Sequence, residues 1–368
     1  MVRPGQTPVG RHARRACLRE AGAASLRRRQ AGAGLTAALL LAVAVAAAPL
    51  AQDIRFFRIG TGATGASYFA IGGVIASAVS NPPGSRPCER GGSCGVPGLI
   101  AVAQTTQGSV ENVEAIGAGT LESGLSQADI AYRAFTGTDV FKKSGPIANL
   151  RAIANLYLES LHIVVRAESG IESVAGLKGK RVSLGEKASG TVVTARLVLS
   201  AYGLNEKKLK PEYLAIDPAV DALRAGEIDA FFIVAGHPVP TISDLAQSTD
   251  IRLLPVNGKT AETFREKYPF LTIDIIPEGT YRGTDATITL GVGALWLVAA
   301  DLEEDLVYGL TRALWHKSTR KLLDEGNPIG RKIRLETALV GVPIPLHPGA
   351  QRYYAEASAA AEQAPPAE

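Results

Sequence analysis

Two stretches of the chain repeat the same order of strand-like and helix-like hydrophobic patterns. Each has a strand, a turn, a helix, a second helix and a second strand. In the first stretch these segments are 54–60, 61–68, 69–79, 110–117 and 120–132. In the second they are 180–185, 186–191, 192–203, 219–226 and 227–236. Strands that alternate with helices predict parallel pairing and an α/β fold class.

The two stretches differ in length by one segment. From Gly60 to Gly119 is 59 residues, and from Gly185 to Gly226 is 41. The difference of 18 equals the length of Asn81–Gly98, which is rich in proline, glycine and cysteine. Such a composition predicts an inserted loop.

Two further apolar strands, 156–169 and 287–301, lie where the chain would pass from one α/β lobe to the other and back. They predict two lobes joined by two crossover strands. Lobe I would contain 52–162 and 288–368, including the C-terminal segments 303–318 and 341–354, and lobe II would contain 163–287. Two crossovers form a hinge, and the cleft between the lobes is the expected ligand site.

The N-terminal segment 1–51 is typical of an export signal. Arg27, Arg28 and Arg29 precede the apolar run Leu35–Ala48, and small residues follow it. A transmembrane anchor is the alternative, but the run is too short to cross about 30 Å of hydrocarbon. We therefore predict a signal peptide over 1–51 and a periplasmic mature protein.

Composition excludes several classes of protein. With 46% hydrophobic and 20% charged residues, the chain is not of the disordered type. The net charge of +4 comes from the N-terminus, where residues 1–51 hold eight arginines and one acid, Glu20. The remainder is slightly acidic, so no nucleic-acid-binding surface is expected.

Cys88 and Cys94 remain once the leader, with its Cys17, is removed. An oxidising compartment favours a disulfide between them. A metal site is the alternative, but the sequence offers no second cysteine pair and no histidine near them, so no metal is expected.

The first turn, Gly60 to Gly65, fits the pattern G-x-G-x-x-G. A dinucleotide site would also need an acidic residue about 20 positions later, where the inserted loop lies instead. Glycines and a helix N-terminus also suit a carboxylate, because they present backbone N–H groups. An ordinary capped turn remains the alternative. The candidate ligand contacts in this turn are Thr64, Gly65, Ser67 and Tyr68.

The second turn occupies the same position in its own unit, and helix capping is again the alternative. Two helix N-termini that face one cleft could hold an anion. Gln127 and His237 end corresponding strands, where ligands of parallel sheets bind; a structural role is the alternative for His237. Glu159 could accept from a ligand amine or simply be solvated. These further candidates are Gln127, Tyr157, Glu159, Ser189, Gly190, Thr191 and His237.

Catalytic signatures are missing from the sequence. It contains no G-x-S-x-G, H-E-x-x-H or P-loop motif, and the histidines of the mature chain are scattered. We therefore expect no enzymatic activity and no cofactor. An exported enzyme or a sensory receptor that uses the same cleft remains the alternative.

Several motifs together resemble the TAXI-type solute-binding proteins of TRAP transporters. They are RIGTGATGASYFAIGGVIA, TTQGSVENVEAIGAGTLESGLSQADIAY, LKGKRVSLGEKASGT, LRAGEIDAFFIVAGHP and VPIPLHPGAQRYY, spread over Ile54–Tyr354. The resemblance implies a two-lobed fold similar to type II periplasmic binding proteins. It also implies capture of a small anionic metabolite, such as glutamate, glutamine or a 2-oxo-dicarboxylate, and delivery to the membrane subunits of a TRAP transporter.

The chain departs from the family pattern in two places. The second turn has Ala188-Ser189-Gly190-Thr191, preceded by Lys187, where the family commonly has Gly-Ser-Gly-Thr preceded by Pro-Gly. This change puts the pose of a ligand in doubt. The resemblance implies nothing about the role of the cysteine-bearing insertion.

Overall fold

The computed structural model describes residues 53–362, and the predicted signal peptide lies outside them. The strands are β1 Arg55–Gly60, β2 Ser80–Asn81, β3 Val96–Pro97, β4 Leu99–Gln104, β5 Ser123–Gln127, β6 Leu150–Arg166, β7 Arg181–Ser183, β8 Lys210–Glu212, β9 Ala230–Ala235, β10 Ile251–Leu253, β11 Leu271–Ile276 and β12 Thr287–Ala299.

The α-helices are α1 Ser67–Val79, α2 Ser109–Gly117, α3 Ala128–Thr136, α4 Gly190–Ala201, α5 Ile216–Arg224, α6 Pro240–Ser248, α7 Gly258–Lys267, α8 Glu304–Leu314, α9 Lys317–Gly326 and α10 Pro348–Glu362. Within residues 53–362, no helix is both long and apolar enough to span a bilayer.

One large mixed sheet runs through the described part of the chain, in the order β4-β1-β5-β12-β6-β9-β7-β8. Strand β1 is parallel to β4 and β5, and β7 is parallel to β8 and β9. The central strands β12 and β6 are antiparallel to each other and to their outer neighbours. The fold is therefore α/β, with two parallel groups of strands joined by two long strands.

The two central strands are the predicted crossovers. The first of them, β6, begins at Leu150, whereas the pattern predicted a start at residue 156, so this strand is longer than expected. Its burial is nearly continuous, as expected for a strand covered on both faces. The boundaries 52–162 with 288–368 for one lobe, and 163–287 for the other, stay a prediction.

The prediction of a strand over 120–132 is only partly correct. The segment 120–132 is a strand only over Ser123–Gln127, and α3 starts at the next residue. Gln127 therefore both ends a parallel strand and forms the N-cap of a helix. Side chains such as Ile130 and Ala131, which look like strand residues, are core residues of this helix.

The insertion is a closed loop, as predicted. Strands β2 and β3 pair at its two ends, and Cys88 and Cys94 form a disulfide within it. Helix α1 and β4, which flank the loop, both pack into the core that contains Ile71, Ile75 and Leu99. The loop thus interrupts the repeated pattern without displacing the elements on either side.

Candidate functional site

A cavity of about 50 Å³ lies where the carboxyl ends of the parallel strands meet. Its lining includes segments from both repeated stretches and the crossover residue Glu159. The lining residues are Gly62, Ala63, Ala66, Ser67, Tyr68, Gln107, Gly108, Ser109, Gln127, Glu159, Gly185, Glu186, Ser189, Gly190, Thr191, Leu214, Ala215, Ile216, Ala219, Phe232, Ile233 and Val234.

Five helices begin at this cavity. Their N-cap residues all line it and are Ala66 for α1, Gly108 for α2, Gln127 for α3, Ser189 for α4 and Ala215 for α5. Only Ser189 caps its helix with a side chain, by accepting from the Val192 N–H. Helix starts without such a cap leave backbone N–H groups available and carry a partial positive charge. The uncapped helix starts can therefore offer backbone N–H donors to an anion.

Formal charges at the cavity come from carboxyl groups alone. Among its lining residues, all within the described chain, there is no lysine, arginine or histidine. Glu159 and Glu186 are the two ionisable acids there. The attraction for an anion would thus come from backbone amides and not from basic side chains.

Glu159 is buried on the central strand β6, with 1% of its surface exposed. The Tyr68 hydroxyl donates a hydrogen bond to Glu159 Oε2 at 2.6 Å. Burial, together with the Asp129 carboxyl nearby, raises the pKa of Glu159 to about 8 against the lowering effect of the Tyr68 bond. The cavity thus has an acidic group whose protonation changes near neutral pH.

Gln127 contributes a second buried acceptor. Its Oε1 atom has no hydrogen-bond partner, and the residue is 2% exposed. A Cβ atom on Gly190 would lie 2.4 Å from this oxygen, so the α4 start can approach Gln127 this closely only as glycine. A buried acceptor without a partner costs about 1–3 kcal/mol, which a donor on a ligand would recover.

Hydrogen bonds join the two repeated stretches on one rim of the cavity. The Glu111 N–H donates to the Ala188 carbonyl oxygen at 3.1 Å, and the Ala188 N–H donates to Gln107 Oε1 at 3.3 Å. Burial raises the pKa of Glu186, beside this contact, to about 7, and Glu111 across the rim contributes to the rise.

The opposite rim is joined in the same way. The Gly236 N–H donates to Ser67 Oγ at 3.2 Å, and the Thr241 hydroxyl donates to the Gly65 carbonyl oxygen at 2.8 Å. Both glycine-bearing turns therefore lie against the opposite stretch of chain, and the cavity is enclosed between them.

The structure brings most of the candidate ligand contacts together at this cavity. Those that line it are Ser67, Tyr68, Gln127, Glu159, Ser189, Gly190 and Thr191. The hydroxyl oxygens of three of them already accept from backbone N–H groups: Ser67 from Gly236, Ser189 from Val192 and Thr191 from Val234, the last at 3.1 Å. The capping alternative describes what the Ser189 oxygen does, whereas the Thr191 oxygen binds strand β9.

Four other candidates lie outside the lining. Thr64 is exposed, and Gly65 packs against Asp217. Tyr157 is buried in the core beneath, where its hydroxyl has no hydrogen-bond partner.

His237 is the fourth candidate outside the lining. Its Nδ1 lies 2.9 Å from Ser160 Oγ. Because the same Ser160 hydroxyl donates to the Asp274 carboxylate, His237 Nδ1–H is the donor to Ser160. This bond gives His237 a structural partner.

The sequence interpretation missed several lining residues. Gly108 and Ser109 precede the predicted helix at 110, and Ala215 and Ile216 precede the one at 219, so helix-start signals could have identified both sites. Glu186 lies within the second turn, but no local signal marks a carboxyl group as buried.

The solved structures that are similar to this chain share little sequence with it. The alkanesulfonate-binding protein SsuA of Xanthomonas axonopodis pv. citri, bound to MOPS, is 18% identical, with 83% of this chain and 85% of that chain covered and a TM-score of 0.41. The periplasmic aliphatic sulphonate binding protein SsuA of Escherichia coli is 17% identical, with 81% of this chain and 77% of that chain covered and a TM-score of 0.41.

A third similar structure is PhnD1 of Prochlorococcus marinus (MIT 9301), in complex with methylphosphonate. It is 13% identical, with 73% of this chain and 89% of that chain covered and a TM-score of 0.41. The family comparison is more specific, because one family model matches residues 59–357, nearly the whole described chain. The chain belongs to the NMT1-like family.

Proposed function

We propose that this protein is an exported, periplasmic solute receptor that encloses a small carboxylate and delivers it to the membrane subunits of a transporter. The observation that carries the proposal is the convergence of five helix N-termini on one cavity without a basic side chain. Helix N-termini are anion-binding sites, and hydrogen bonds to a charged group contribute about 1.5–3 kcal/mol each. In this proposal the chain binds its ligand and does not transform it.

Binding would require motion of the cavity walls. The cavity volume of about 50 Å³ has room for a few water molecules but not for an amino acid. The walls come from stretches that meet through β6 and β12, so bending at these strands would open the cavity. A ligand that binds the enclosed form better would shift the equilibrium towards it.

Among carboxylates, the cavity favours one that also has an ammonium group. Glu159 and Gln127 Oε1 are buried acceptors with no basic side chain beside them in the lining. An ammonium group would donate to them, with Glu159 losing its proton as the ligand binds, whereas the 2-oxo group of a 2-oxo-dicarboxylate has no proton to donate. Glutamate or glutamine therefore fits this end of the cavity better than 2-oxoglutarate.

The ligand class is tested by titration calorimetry and thermal shift on the purified protein. The ligands are L-glutamate, L-glutamine and 2-oxoglutarate, with an alkanesulfonate and methylphosphonate as comparison anions. We expect an amino acid to raise the melting temperature most, because at 100 times Kd a ligand adds about 2.7 kcal/mol to stability. Binding of a sulfonate or phosphonate alone would reject the carboxylate proposal.

The proposed partner is the membrane part of a TRAP transporter, and the motifs that resemble TAXI-type receptors support it. We expect uptake into membrane vesicles to need the purified receptor and to stop when an ionophore collapses the ion gradient. Uptake that survives the ionophore but stops without ATP would assign the receptor to an ABC-type importer instead.

A further inference from the structure

The disulfide of the insertion has a histidine next to it. His316 Nε2 lies 4.0 Å from Cys88 Sγ, although 228 positions separate the two residues in the sequence. One ligand atom from each of Cys88, Cys94 and His316 lies within 4.8 Å of the others, and all three residues are half-buried. The fold therefore places a histidine beside the two cysteines, although none lies near them in the sequence.

The imidazole of His316 is held in this orientation by its second nitrogen. Residue 316 is the N-cap of α9, and its Nδ1 accepts from the Ser318 N–H at 3.2 Å. The Ser318 hydroxyl oxygen lies 2.8 Å from the same Nδ1. This pair of contacts turns Nε2 towards Cys88. Histidines that bind metals are likewise oriented by a hydrogen bond between their second ring nitrogen and an oxygen atom.

We propose that Cys88, Cys94 and His316 bind a thiophilic divalent cation such as Zn²⁺ when the disulfide is reduced. A dithiol supplies two electrons and two protons to the Cys88–Cys94 bond, and its own two sulfurs become a disulfide. Each cysteine thiol then loses its proton as the metal binds. Two thiolates and one imidazole leave one tetrahedral position for water.

The proton of the imidazole has a defined place in this state. Nε2 must offer its lone pair to the metal, so Nδ1 carries the hydrogen, gives up its bond from the Ser318 N–H and donates to Ser318 Oγ instead. The metal would then link the inserted loop to the first turn of α9. The disulfide makes no such link, because both of its cysteines lie within the loop. None of the three ligands lines the cavity, so this site is independent of the proposed solute site.

The test is a cobalt titration of the full chain with Cys17→Ser, which leaves Cys88 and Cys94 as its only cysteines. The protein is reduced with dithiothreitol and desalted without oxygen, and then titrated with Co²⁺. We expect one equivalent to produce thiolate-to-cobalt charge-transfer absorption that Zn²⁺ abolishes, and no such absorption from the oxidised protein.

Two variants separate ligation from folding. His316→Asn keeps a good N-cap for α9 but removes the imidazole, so we expect affinity to fall at least tenfold while the melting temperature is retained. Ser318→Ala should weaken binding about 10–100-fold, because it removes the acceptor for Nδ1–H. The proposal is overturned if the reduced protein has two free thiols but no charge-transfer absorption. It is equally overturned if His316→Asn binds cobalt as tightly as the parent.

Discussion

The two glycine-bearing turns, 61–68 and 186–191, both lead into helices that start at the same cavity. They differ in whether a side chain caps the helix. In the first turn the N-cap of α1 is Ala66, which offers no side-chain cap. In the second turn Ser189 accepts from the Val192 N–H and donates to the Glu186 carbonyl oxygen. The same local pattern therefore leaves the start of α1 without a side-chain cap and gives the start of α4 one.

This difference indicates how the two turns divide their roles. The first turn supplies the Tyr68 hydroxyl to Glu159 and leaves backbone donors available for an anion. The second turn supplies a close backbone approach at Gly190, whereas Thr191 is used to hold the β9 strand. Under the proposed function, we therefore expect the first turn to contribute more to anion binding than the second.

The largest effect should come from the buried acid beside the first turn. Because the pKa of Glu159 is raised to about 8 in the folded protein, the folded state retains its proton where the unfolded state has lost it. Stability should therefore fall as pH rises from about 4.5 to 8, by up to about 1.4 kcal/mol per pH unit. Glu159→Gln should flatten this slope in urea unfolding measured between pH 5 and pH 8.

Glu186 beside the second turn is the matched comparison. Its pKa is raised to about 7, and it is less buried than Glu159. Glu186→Gln should remove a slope of similar size per pH unit, but one that ends near pH 7 and so has a smaller total effect. An effect that extends to the same pH in both variants would contradict the different pKa values of the two acids.

The next largest effect should come from Gly190. A methyl group there would overlap the Gln127 amide, which is buried and has little room to move. We expect Gly190→Ala to cost about 1–3 kcal/mol and to weaken binding of L-glutamate or L-glutamine by more than tenfold. Gly73→Ala is the control, because nothing lies within 4 Å of its Cβ position in α1. Similar binding by both variants would place Gln127 outside the site.

Thr191 and Thr64 lie in the two glycine-bearing turns and should respond differently. Thr191→Ala leaves the buried Val234 N–H without its acceptor, which should cost about 1–3 kcal/mol in chemical denaturation. Thr64 is exposed, and Thr64→Ala should change stability by no more than about 0.5 kcal/mol. If both variants were equally mild, Thr191 would not hold the strand.

The smallest effect would come from making the first turn resemble the second. Ala66 has φ −97° and ψ 164°, which a capping serine adopts readily. Ala66→Ser should therefore add about 0.5–1 kcal/mol of stability. It should also weaken carboxylate binding several-fold, because the new hydroxyl occupies a backbone donor. A gain in stability with unchanged affinity in calorimetry would show that these donors do not bind the ligand.

Local sequence patterns were sufficient for much of the architecture. The alternation of strands and helices, the two crossovers, the loop at 81–98 and the disulfide all follow from periodicity, turn residues and cysteine spacing. The error at 120–132 has a physical cause, because Ala128–Ala131 has apolar residues that suit a strand and a helix equally well. Only packing of Ile130 and Ala131 into the core selects the helix.

The sequence by itself determined which segments form strands, helices and glycine turns, because these depend on side chains a few positions apart. Tertiary structure alone decided that five helix starts share one cavity, that Thr64 lies outside its lining, and that His316 lies against Cys88. These relations depend on how β6 and β12 bring distant stretches together. Burial, which shifts the pKa of Glu159, likewise arises only when the sheet and its helices have assembled.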